Sequence, residues 1–144
     1  MLVLVDTPIW STALRRTSAN LNPREQRLTT ALQELIREGR AQLLGPVRQE
    51  LLSGVRQETT FRKLRDQLRA FDEPRIEVSD YEEAAHFNNQ CRSRGITGSA
   101  TDFLICAAAS RRDWQIFTTD GDFTRYATVV PLKLYQPDRD AFPD

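Results

Sequence analysis

Five acidic residues stand at the ends of the most apolar segments of this chain. Asp6 closes Leu2-Val3-Leu4-Val5, and Glu50 lies on the apolar stripe of Val47, Leu51 and Val55. Asp102 opens an almost uncharged run over residues 103–109, and Asp120 and Asp122 follow Ile116-Phe117. A carboxylate in apolar surroundings is costly unless something compensates it. No Lys or Arg stands beside most of these positions in sequence. If the fold gathers the five, they repel one another, and a divalent cation is the cheapest compensation. Mg²⁺ or Mn²⁺ suits an all-oxygen donor set that keeps several waters. Zinc would want His or Cys. The single histidine, His86, falls in the middle of an expected helix and reads as surface or half-buried, with no catalytic part.

Taken singly, each acid has a structural reading. Asp6 can be a helix N-cap, Asp102 can oppose the dipole of its own helix, Asp120 and Asp122 can be turn residues, and Glu50 can reach solvent. Taken jointly, those readings need independent reasons for acids at one place, each beside apolar sequence. No phosphate-binding GxxxxGK[ST] loop and no GxGxxG fingerprint is present. What remains is phosphate chemistry by an activated water, with a 5′-phosphate and a 3′-hydroxyl as products.

The elements that must position these acids are short. Apolar stretches over 2–5, 41–44, 76–78, 115–118 and 129–135 read as strands. Helices are expected after Asp6-Thr7-Pro8, from Asn22-Pro23 to Gly39, from Pro46 through Gly54, over 58–71, from a Ser79/Glu82 capping box to Gly95, and over 101–110. Strands alternating with helices predict an α/β fold, a three-layer sandwich around a mostly parallel central sheet of about five short strands. Ligands of such sheets bind beyond the carboxyl ends of the strands. Asp6 and Asp120 fall there, and Glu50 and Asp102 fall on helices whose first turns face that edge. Trp10 reads as core, on a helical face with Ile9, Ala13 and Leu14.

The 144 residues suit one domain, 1–144, with 137–144 a loose tail. Zero formal net charge argues against coating nucleic acid by bulk electrostatics, but not against an enzyme that holds phosphates locally. The basic residues are almost all arginine, which codon usage explains better than phosphate binding does. No apolar run is long enough for a membrane span, and the N-terminus has no secretory pattern, so the expected location is cytoplasmic. Cys91 and Cys106 are then expected reduced and packed.

In order and spacing, four stretches resemble the PIN-domain nucleases. They are Val5-Asp6-Thr7-Pro8-Ile9-Trp10-Ser11, Glu50 after a short strand, Thr101-Asp102-Phe103-Leu104-Ile105-Cys106-Ala107-Ala108-Ala109, and Phe117-Thr118-Thr119-Asp120-Gly121-Asp122-Phe123. The opening V-D-T-x-x-W and closing T-x-D-x-D-F look most like VapC-type toxins of toxin–antitoxin pairs. The resemblance implies a Mg²⁺- or Mn²⁺-dependent endoribonuclease with its four acids at Asp6, Glu50, Asp102 and Asp120, and Asp122 as a further metal ligand. It also implies a homodimer and a VapB-type antitoxin partner, with DNA contacted only through that antitoxin.

Pro8 stands where the family often has Ser, so a hydroxyl role there is absent. Thr7 remains to orient Asp6 or a metal-bound water, and Thr7, Arg15 and Arg16 are candidates for substrate binding, the two arginines for the RNA backbone or an antitoxin carboxylate. The alternatives are a catalytically silent PIN-like protein or a receiver-type Mg²⁺-binding regulatory module. A receiver needs paired acids after the first strand and a Lys ending the last, yet Asp6 is alone and Lys133 lies inside an expected strand. A haloacid-type phosphatase needs D-x-D, where Thr7-Pro8 stand instead.

Overall fold

In the computed structural model the described residues are 1–15 and 18–137, with the side chains of Arg15 and Ser18 left aside. The core of the fold is a parallel sheet of β1 (Val3–Val5), β2 (Ala41–Gln42), β3 (Gln115–Phe117) and β4 (Lys133–Leu134), in the order β2-β1-β3-β4. Val3 pairs with Ala41 on one side and with Gln115 on the other. β1 and β3 bury nearly every side chain they carry. A parallel strand covered on both faces needs this continuous apolar run. The chain moves outward from β1 to β2, then crosses back to β3 and β4. The gap between β1 and β3 is therefore the topological switch point, where ligands of open α/β sheets bind.

Between the strands run α1 (Thr7–Arg15), α2 (Pro23–Arg37), α3 (Gly45–Leu52), α4 (Glu58–Leu68), α5 (Val78–Ser93), α6 (Ala100–Arg112) and α7 (Asp122–Tyr126). The start of α2 is fixed by a full capping box, in which Asn22 Oδ1 accepts from Glu25 N–H and Glu25 accepts from Asn22 N–H. α6 is buried from Phe103 through Ala109, as its nearly uncharged sequence requires, and packs on β1, β3 and most extensively on α5. Trp10 is fully buried, its ring tilted against Phe71 and its indole N–H donating to Val5 O at 3.0 Å. Cys91 and Cys106 are free and buried. His86 is exposed, near Glu83.

Two expectations need correction. The stretch 76–78 is not a strand, so the sheet has four strands where about five were expected. The bridge nearest to it in the chain is an isolated one between Gln42 and Asp72, ahead of that stretch. The reason is Asp80, a buried acid that sequence reasoning passed over. Its carboxylate accepts from Glu77 N–H and starts α5 at Val78, ahead of the expected Ser79 cap. Arg112 grips Asp80 through two hydrogen bonds of 2.7 and 2.9 Å, and Arg111 adds a third. The same Arg112 takes the Arg75 carbonyl, which is then lost to any ladder. The last strand is also shorter than 129–135. The N–H groups of Val129 and Val130 close the end of α7 on the Tyr126 carbonyl, and Pro131 has no N–H to give.

Candidate active site

The site forms where β1 and β3 end side by side. Asp6 N–H donates to Phe117 O, so the two strand ends are tied directly. Asp6 is 5% exposed. Its Oδ1 accepts from Thr7 N–H at 2.8 Å and its Oδ2 accepts from the Thr118 hydroxyl at 2.8 Å. Burial still dominates over these two donors, and the nearby charges of Asp102 and Asp120 act in the same direction as burial. Together they push the Asp6 carboxyl up to about 6.

Asp102 sits in the first turn of α6. Ser99 caps that helix by accepting from Asp102 N–H, which brings the carboxylate to the sheet edge. Asp102 Oδ2 accepts from the hydroxyl of Tyr126 at 2.8 Å. Desolvation raises the Asp102 carboxyl, and the charges of Asp120 and Asp122 add to the rise. Asp120 follows β3 on a turn, where Thr118 accepts its N–H and its own Oδ1 accepts from Asp122 N–H. Glu50, on α3, is reached by the Thr7 hydroxyl at 2.5 Å. Thr7 thus touches Asp6 through its backbone and Glu50 through its side chain, linking the first two acids.

The structure therefore draws Asp6, Asp102 and Asp120 into one electrostatic neighbourhood, with Asp122 beside Asp102 and Glu50 joined through Thr7. Among the described residues no salt bridge engages Asp6, Glu50, Asp102 or Asp120. Asp122 has a described cation near it, Arg125 at 4.0 Å on an exposed turn of α7. Three hydroxyls from separate parts of the chain hold one oxygen each: Thr118 on Asp6, Thr7 on Glu50 and Tyr126 on Asp102. Neutral donors orient a carboxylate without cancelling its charge, whereas an arginine would do both.

Among the described residues no three His, Cys, Asp or Glu side chains are close enough to enclose a metal ion together. The donor chemistry nevertheless fits Mg²⁺ or Mn²⁺, which take one or two carboxylates and leave the remaining positions to water and phosphate oxygens. Mutually raised carboxyls are the electrostatic signature of a place where added positive charge is favourable.

Across residues 3–129 the sequence matches the profile of the PIN domain. The chain belongs to the PIN domain family. No curated protein matched it in a direct sequence search. Solved structures share the PIN fold at low identity. FitAcB from Neisseria gonorrhoeae superposes with a TM-score of 0.72 at 19% identity, covering 94% of this chain and 98% of that one. VapBC2 from Rickettsia felis, bound to a DNA fragment from its promoter, gives 0.73 at 14% identity, covering 96% and 100%. A toxin–antitoxin complex from Klebsiella pneumoniae gives 0.70 at 16% identity, covering 94% and 98%.

Some of this PIN site was not visible in sequence. Thr118 lies between Phe117 and Asp120 with nothing local to mark it as a donor to Asp6, and Tyr126 has no local signal at all. Thr7 meets Asp6 through its N–H, and its hydroxyl goes to Glu50. Arg16 and the tail over 138–144 lie outside the described residues, as does the side chain of Arg15.

Proposed function

We propose that this PIN domain is a Mg²⁺- or Mn²⁺-dependent endoribonuclease and the toxin of a toxin–antitoxin pair. The observation that carries the reading is the gathering of Asp6, Asp102 and Asp120 at the switch point, with the Asp6 and Asp102 carboxyls raised and, among the described residues, no salt bridge to any of the three. Such a cup is poised for charge that arrives from outside. The PIN fold shared with VapBC2 and with a toxin–antitoxin complex supports the same reading.

In this reading Asp6, Glu50, Asp102 and Asp120 hold the metal, with Asp122 as a further ligand. When present there, a divalent cation supplies Lewis acidity to the scissile phosphate and to the attacking water. The chain's own residues do the rest. Thr118 and Thr7 keep Asp6 and Glu50 aimed at the cup, and the depth of Asp6 keeps its immediate surroundings poor in solvent. The partners proposed are RNA as substrate, a second copy of the chain, and a VapB-type antitoxin that covers the acidic cup. DNA is reached only through that antitoxin. Among the described residues no helix is long and apolar enough to cross a membrane. The compartment proposed is the cytoplasm.

The test is RNA cleavage by the purified chain with Mg²⁺, Mn²⁺ or EDTA, alongside Asp6→Asn and Asp102→Asn. Metal-dependent cutting that either substitution abolishes is the expected result. Full activity of Asp102→Asn, with contaminating nuclease excluded, refutes the mechanism. Metal binding without cutting returns the silent PIN-like module.

A further inference from the structure

Tyr126 stands 24 residues beyond Asp102 in the chain, on α7, and is fully buried. Its ring is locked: Phe103 tilts against it with centroids 4.9 Å apart, and Phe123 meets it edge-on at 5.2 Å. The hydroxyl therefore has one direction to point in, and it donates to Asp102 Oδ2 at 2.8 Å. It reaches that atom by passing over Gly98. A β-carbon at position 98 would overlap Tyr126 Oη and stand 2.8 Å from Cζ. Gly98 has no positive φ to explain it, so the close approach is its physical reason.

We propose that Tyr126 is a positioning residue for Asp102, seated by Gly98, that fixes the carboxylate in the orientation in which it takes a divalent cation. The proposal rests on the acidic cup being a metal site. Asp102 is only half-buried and sits in the first turn of a helix, so its side chain would otherwise sample several rotamers. A phenol held by two aromatic rings removes that freedom and leaves the negative charge intact. Loss of a group that orients a ligand in this way typically costs about 10- to 100-fold in metal affinity or activity.

The experiment is calorimetric titration of Mn²⁺ into the metal-free chain, its Asp102→Asn, Tyr126→Phe and Gly98→Ala variants, with a thermal melt of each before metal is added. Tyr126→Phe keeps the ring contacts and loses only the hydroxyl, and it is expected to bind Mn²⁺ about 10-fold or more weakly. Gly98→Ala keeps the hydroxyl but displaces it, and is expected to weaken binding in the same direction. A merely structural tyrosine would lower the melting temperature and leave Mn²⁺ affinity at 25 °C unchanged. Native affinity in both variants, with binding lost in Asp102→Asn, overturns the proposal and leaves the metal site standing. Equal binding by the native chain and Asp102→Asn overturns the metal site itself and the proposal with it. If Tyr126→Phe does not fold, Gly98→Ala decides, and native Mn²⁺ affinity in that variant overturns the proposal.

Discussion

Asp6→Asn in the metal-free protein should raise stability at neutral pH while abolishing function. Asp6 has its carboxyl lifted from 3.8 to about 6 by burial and by its acidic neighbours. The folded chain thus takes up this proton before the unfolded chain does. Stability attributable to Asp6 is full below about pH 4 and is lost as pH rises through 6. The rise corresponds to about 3 kcal/mol of destabilisation once Asp6 is ionised. The Thr7 and Thr118 donors favour the ionised carboxylate and are already contained in that rise. The gain on substitution by Asn is therefore about 3 kcal/mol at pH 7.5, or roughly 9 °C in melting temperature for a chain of this size. Near pH 4 native Asp6 is already neutral, and the gain should vanish. The assay is urea unfolding of both proteins in EDTA from pH 4 to 8. Saturating Mn²⁺ should reverse the order, because a ligand that binds only the folded state stabilises it, and the native cup is the better binder. A substitution that destabilises at pH 7.5, or whose effect does not change with pH, refutes the electrostatic account of this site.

Two further outcomes test the frame around the site. Asp80→Asn should cost about 3 kcal/mol or more, because it leaves Arg111 and Arg112 facing a neutral group. The Arg112 guanidinium beside Asp80 holds its carboxyl well below the usual value. Its stability is therefore present above pH 4 and lost as pH falls through the depressed value, which acid unfolding of the two proteins will read. Trp10→Phe should cost about 2 kcal/mol in urea unfolding with an unchanged slope, since Val5 O at the end of β1 loses its buried donor.

Much of this molecule is written locally. The strands at residues 3–5 and 115–117 show as apolar runs too short and too branched for helices, and α6 shows as a helix with no charged face. The five acids show because a carboxylate at the end of an apolar segment is locally anomalous. Asp80 escaped because its anomaly is not local. It sits among Ser79, Glu82 and Glu83 on what reads as an ordinary solvated helix start, and its reason, the Arg111-Arg112 pair, arrives some thirty residues later. The expected strand at 76–78 failed for the same cause, since Arg112 and Asp80 claim the groups a ladder would need.

Sequence alone determined most of the element types and the parallel sheet, and it singled out the acids, because hydrophobic period and residue chemistry act over a few neighbours. It could not say which hydroxyl meets which carboxylate. Thr118 on Asp6, Thr7 on Glu50 and Tyr126 on Asp102 are pairings made by strand order and helix packing, over separations of 112, 43 and 24 residues. Only closure of the sheet brings those ends together, and with them the shared burial that raises Asp6 and Asp102.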